Sequence, residues 1–420
     1  MASLSRELRF ALRDRTVQII LLLAFAAAAA SVITGVKAVE DQQALIDRLL
    51  LATDEERAVA VENAGDPGDM AYYAFHMTYA PPSALAFSAL GTRDTLPWKH
   101  RIRMLALEGQ LYESDVGNPE LSLSGRLDFA FVAAVLLPLL LIFLLHDSEA
   151  GERRAARHDL LCVTATEGRS LFTHRAIARA LLLMAAIVLP FVLGAWLQGA
   201  GLSGVGIILG AATLSLVFWL VVCLVMVRRI DAGPTCAIAL LGLWLVLAVL
   251  LPAGGKLAAQ SLVDVPQGGE LLLAQREAVN DAWDLPKPAT MDPFIERHPR
   301  WAPYREVSRP FEWKWYYAFQ QVGDQAVERI SSELREGIGE RDQLMGMLAF
   351  LSPPVLTERL MTRAAETDVA AFQRDERCVR SFHASLRTYH YPMLFGEQPF
   401  SDEAKAALPV FSPCEYGVDR

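Results

Sequence analysis

The chain has 420 residues, 53% of them hydrophobic and 21% charged, with a formal net charge of −9 and a sequence pI near 5.5. A mean hydropathy of +0.27 excludes an ordinary soluble globule, and so many charges exclude a bundle lying wholly in lipid. The acidic balance argues against a nucleic-acid partner.

Residues 1–15 (MASLSRELRFALRDR) set Arg6, Arg9, Arg13 and Arg15 against Glu7 and Asp14. They read as a cytoplasmic basic segment whose short helix lies along the membrane surface. The apolar run 16–36 follows. A basic start and an apolar run also describe a signal peptide, but this run is long for one, and its small-residue stretch AAAAA lies inside it. The expectation is an uncleaved first span with the N-terminus inside.

Residues 37–126 form a large extracytoplasmic insert. Its first part, 38–63, has apolar positions near helical spacing and should leave the membrane as a helix; GDPGD at 65–69 breaks it. The next stretch, MAYYAFHMTYAPPSALAFSAL, is aromatic-rich and interrupted by Pro81 and Pro82, so it reads as an interfacial or packed segment. Residues 127–146 supply a second span of about the 20 residues that a bilayer core needs. The loop 147–174 carries Arg153, Arg154, Arg157 and Arg169, and a short loop so rich in arginine stays in the cytoplasm. Three further spans follow at 175–197, 202–227 and 234–252, with Arg228 and Arg229 again on the inner side.

Residues 253–420 contain no later run long enough to span and should be extracytoplasmic. Irregular linkers are expected around Val265 and from Leu285 to Pro310, and amphipathic helices over Trp313–Gly337 and Thr357–Tyr391. Five cysteines are too few for a disulfide scaffold, and no zinc spacing occurs. Cys378 and Cys414 could pair if this region is exported; two free thiols are the plainer reading.

Catalytic chemistry is mostly missing. No GxxxxGK[ST] loop is present, the nearest string being AGGKL at 253–257, and neither HExxH nor GxSxG occurs. No catalytic residue, metal site or cofactor is therefore assigned to this chain. His76, His100, His298, His383 and His390, with Met70, Met77 and Met104, could offer soft ligands to copper, but none has tight ligand spacing, and scattered surface histidines are commoner. Asp128, Arg175 and Arg179 sit near span ends, which disfavours an ion-coupled carrier. Energy should enter from elsewhere, and the basic loop is the natural entry point. The plain alternative is that its arginines act only as a topology signal.

Several stretches resemble one known family. RELRFALRDR, YYAFHMTYAPPSALAFSALG, GNPELSLSGRLDFAFVAAVLLPLLLIFLLHDSEAGERRAARHDLL and FLSPPVLTERLMTRAAETD are similar to the permeases of the ABC-2 class, in the branch with a large insert after the first span. That branch includes the permease associated with nitrous oxide reductase maturation. The resemblance implies the permease subunit of an ABC transporter, an exporter in the bacterial inner membrane with its C-terminal region periplasmic. A separate ABC ATPase carrying ATP-Mg would dock on the loop at Glu149, Glu152, Arg153, Arg154 and Arg157, and a second permease chain, identical or a sister, would complete the pathway. The family's loop usually runs as ERERG, where this chain has Glu149-Ala150-Gly151-Glu152-Arg153. Such permeases typically have six spans, so the sixth is expected to be missing, truncated or supplied by a partner. The expected fold is an all-α polytopic membrane protein with about five transmembrane helices and mainly helical extracytoplasmic regions. The alternative function is a non-transporting, membrane-anchored assembly or sensor protein that binds a periplasmic client.

Overall fold

The computed structural model describes residues 2–112, 127–165, 168 and 170–414. Among these, five helices are long and apolar enough to cross a membrane. The chain is an all-α polytopic membrane protein with one small two-stranded sheet.

Helix α1 (Ala2–Ala11) turns sharply into α2 (Arg15–Asn63). Asp14 makes the junction by accepting a hydrogen bond from Thr16 N at 2.9 Å, which satisfies a donor that the helix start leaves open. The first span and the charged segment after it are one element of 49 residues. At helical rise it is about 74 Å long, more than twice a bilayer core of about 30 Å. Nothing interrupts it before Asn63, since it holds one glycine, Gly35, and no proline.

Asp66 caps α3 (Pro67–Tyr73) through Asp69 N at 2.8 Å. Strands β1 (His76–Tyr79) and β2 (Lys99–Ile102) then pair antiparallel, with His76 opposite Ile102. This hairpin, which begins within the packed segment, is not among the expected elements: strands of four residues are too short for an alternating pattern to register. Helix α4 (Leu107–Tyr112) follows.

The second span, α5 (residues 129–145), contains a π-helical segment at Val132–Leu136. Beyond it, α6 (Ala150–Arg154) and α7 (His158–Thr164) form the connecting loop. Three spans complete the bundle: α8 (Ser170–Leu197), α9 (Leu202–Arg229) and α10 (Gly233–Leu262), the last with its own π segment at Val246–Leu250. A proline stands two residues beyond each π segment, Pro138 and Pro252. Proline has no N–H to donate to the preceding turn, and carbonyls freed in such segments must find other donors within lipid. Side chains supply them. Ser215 Oγ donates to Ala133 O at 3.4 Å, Trp244 Nε1 to Val135 O at 3.3 Å, and Ser352 Oγ to Leu247 O at 2.7 Å.

The C-terminal region is helical: α11 (Gly268–Asp284), α12 (Lys287–Arg297), α13 (Trp313–Ala326), α14 (Glu328–Ala349), α15 (Pro353–Ala364), α16 (Val369–Leu394) and α17 (Asp402–Ala406). The stretch from 285 to 304 is therefore mostly helical rather than an irregular linker, while 305–310 is irregular as expected. Pro288 sits in the first turn of α12, where its missing N–H costs nothing, and a 3-10 turn follows at Pro299–Tyr304. The helices expected over 313–337 and 357–391 each divide in two. Val327 separates α13 from α14. A left-handed Glu366 (φ 56°) stands between α15 and α16, and Asp368 then caps α16 through Ala371 N at 3.0 Å.

Two segments that do not span are built into the spanning bundle. Phe87, in a turn of the insert, is fully buried and stacks on Phe191 of α8 at 6.0 Å. The fit requires Gly35, because a Cβ there would lie 2.0 Å from Phe87 O. Helix α15 is the second, burying Met361 in the same apolar cluster as Phe129, Leu137 and Trp219. The two segments also hold each other: Thr367 Oγ1 donates to Ala89 O at 2.7 Å, and Thr92 N to Thr367 O at 2.8 Å. A separate aromatic core around Trp315, Tyr317, Phe319 and Phe294 closes the C-terminal helices. The molecule thus has a domain end, where these regions gather, and a loop end, where α1, α6, α7 and the α9–α10 turn meet.

Candidate functional site

The loop end is tied together by charge. Arg175, in the first turns of α8, donates through Nη1 to Glu152 of α6 at 3.0 Å and through Nε to Glu7 of α1 at 3.2 Å. Glu7 is only 3% exposed, so it needs such a partner. Arg6 Nε approaches its other oxygen at 3.5 Å. Arg179, one helical turn deeper, donates to Leu144 O at 2.6 Å and lies 3.6 Å from Asp14. These groups line a cleft of about 510 Å³ between α1, the loop and α8, together with Phe10.

The five loop residues singled out from sequence all gather here, and each charge is already engaged. Arg153 binds Glu149 at 3.0 Å and Asp231 at 2.5 Å; Arg154 binds Asp147 at 2.5 Å; Arg157 binds Glu152 at 2.9 Å. Glu149 is buried. The loop arginines therefore brace the loop, and a left-handed Ala156 (φ 54°) turns the chain from α6 into α7. Arg169 lies outside the described residues.

Sequence reasoning missed the apolar side of the loop. Leu160 and Val163 of α7 are 64% and 85% exposed. Three residues apart, they share one helical face. His158 anchors the same helix by stacking on Phe172, with ring centroids 5.1 Å apart. The readable signal was the string DLLCV inside an otherwise polar loop. Such an open apolar pair, set beside a braced polar cleft, can receive a protein surface.

At the domain end, Cys378 and Cys414 are joined by a disulfide, with Cα atoms 6.1 Å apart, which pins the C-terminal tail to α16. His76, His383 and His390 are buried. Burial, and secondarily Arg57, lowers His76 to about 3; burial, and secondarily His76, lowers His390 to about 3. His383 is also lowered by burial while bonding Leu105 O at 2.9 Å. Among the described residues, no three His, Cys, Asp or Glu side chains gather to hold a metal ion. The AGGKL string lies within α10, so it forms no phosphate-cradling loop.

A family model described as a domain of unknown function (DUF3526) matches residues 269–413, the region from α11 to the tail. No curated protein matches the chain. No solved structure matches it either.

Proposed function

We propose that this chain is the membrane permease subunit of an ABC-type exporter, energised by a separate ATPase that docks at the loop end. The observation carrying this reading is the exposed Leu160–Val163 face beside a cleft whose charges are already neutralised. A partner docked there gains apolar burial without having to break the loop's ion pairs. Its push on α7 passes through α6 and the Glu152–Arg175–Glu7 network into α8 and α1. The loop end carries Arg6, Arg153, Arg154, Arg157, Arg175, Arg228 and Arg229, and the positive-inside bias supports the reading that it faces the bacterial cytoplasm, with the domain end periplasmic. ATP-Mg is then a ligand of the partner. Helix α10 buries 11% of its most apolar stretch within the chain, against 61% for α5, which leaves it outermost for a second permease chain.

The test is mild-detergent copurification of the tagged full chain from its native host, compared with Leu160→Glu/Val163→Glu. A stoichiometric ATPase that accompanies the wild type, and is lost from a variant of unchanged thermal stability, is the expected result. If the wild type brings down only proteins bound at the domain end, with no ATPase, the assembly or sensor reading replaces this one.

A further inference from the structure

A second cleft lies at the domain end, about 280 Å³ in volume, between α4, α12, α13, α14 and α16. Four guanidinium groups line it (Arg297, Arg335, Arg380 and Arg387), together with the carboxylates of Glu108, Asp324 and Glu328. All three carboxylates are spent. Asp324 takes Arg387 at 2.6 Å, Leu107 N at 2.9 Å and Glu108 N at 3.1 Å. Glu108 receives Arg380, which also holds Glu376 at 2.7 Å, and Glu328 pairs with Arg297. The acids are thus occupied in fixing the walls.

Two groups of donors remain. Arg335 donates to the Ser331 hydroxyl and has no carboxylate within ion-pair reach among the described residues. Gln325 Nε2 is buried in the same cleft without a partner. The carboxylates that would attract a cation are each already paired with a guanidinium, and an apolar solute would leave these donors unmet. A guanidinium fork with unused N–H groups, beside an amide NH2, matches the acceptor geometry of an oxyanion. We propose that this cleft binds a small solute bearing a carboxylate or phosphate group, held by Arg335 and Gln325. The inference stands whether or not an ATPase docks at the opposite end.

The experiment uses the full chain in phosphatidylcholine nanodiscs, titrated calorimetrically with succinate and with inorganic phosphate. Each titration is compared with sodium chloride at matched ionic strength. Saturable binding of at least one probe is expected, weakened at least tenfold by Arg335→Gln and severalfold by Gln325→Leu. Arg305→Gln, which breaks an exposed ion pair elsewhere, should leave it unchanged. Succinate alone binding identifies a carboxylate ligand, and phosphate alone a phosphoryl one. Absence of saturable binding by both probes overturns the proposal, as does undiminished binding in Arg335→Gln. Should that variant fail to fold, undiminished binding in Gln325→Leu overturns it instead.

Discussion

Arg175 is the side chain through which α1, α6 and α8 are held as one body, and its removal should release α1. Its Nε lies 3.2 Å from Glu7 and its Nη1 3.0 Å from Glu152. At an effective dielectric of about 20, each such contact has a gross attraction of roughly 5 kcal/mol. Desolvation consumes much of this, and the Arg175 side chain keeps 21% of its exposure. Arg6, 3.5 Å from Glu7, would compensate in part. A net coupling between Glu7 and Arg175 of about 2 kcal/mol follows, equivalent to about 30-fold in an opening equilibrium. Ala11 of α1 is buried, so Ala11→Cys in a Cys162→Ser background reports release of α1 as maleimide labelling. Arg175→Gln should raise the labelling rate about 30-fold, Glu7→Gln less, and the double variant no more than Arg175→Gln alone. Additive effects of the two substitutions would refute the reasoning, because they would show that the two residues do not stabilise each other.

Replacing Ser352 by Val removes the donor to Leu247 O within the bundle. It should cost about 1–3 kcal/mol, read as a lower thermal midpoint, with a smaller loss for Ser352→Thr. The buried histidines give the domain end an acid dependence. His76 and His390 have folded pKa values near 3 and His383 is lowered in the same direction by burial, below the unfolded value of about 6.5, so the unfolded chain binds more protons and stability falls as pH drops through 6.5. Between pH 7 and 5 the loss should be about 2 kcal/mol for each of His76 and His390, measured by thermal unfolding and reduced by about that amount in His390→Gln. The disulfide closes a separation of 36 residues. Its loss in Cys378→Ser/Cys414→Ser should cost about 2–4 kcal/mol, and protease nicking of the tail should be its first sign.

The five spans were legible because long uncharged runs leave few alternatives, and arginine marked the loop end for the same reason. What could not be read was pairing. Arg153, Arg154 and Arg157 look like an exposed basic patch in sequence, but their partners Asp231, Asp147 and Glu152 come from two different parts of the chain. Only the fold shows that the patch is neutral and that Leu160 and Val163 are what it leaves open. Composition also misjudged 285–304: prolines there start helices and turns, a distinction that depends on their position within the first turn. Phe87 was readable as part of a packed segment, but its burial against Gly35 and Phe191 is a long-range contact that local pattern does not encode. The second cleft went unremarked because its residues come from five separated helices.

The π segment in α5 has a geometric consequence for the whole molecule. A π turn accommodates one residue more than an α turn, so every residue beyond Leu136 is set back by one position relative to a regular helix. Restoring the regular helix would rotate the loop-ward half of α5 by about 100° and shift it by about 1.5 Å. Helix α6, with Glu149 and Glu152, would swing by the same amount. Ser215 and Trp244 hold the slip in place from α9 and α10, while Ser352 fastens α15 to the matching slip in α10. Release of the slip in α5 would thus reach the loop end as a change of helical phase, a turning of α5 about its own axis coupled to a small axial shift.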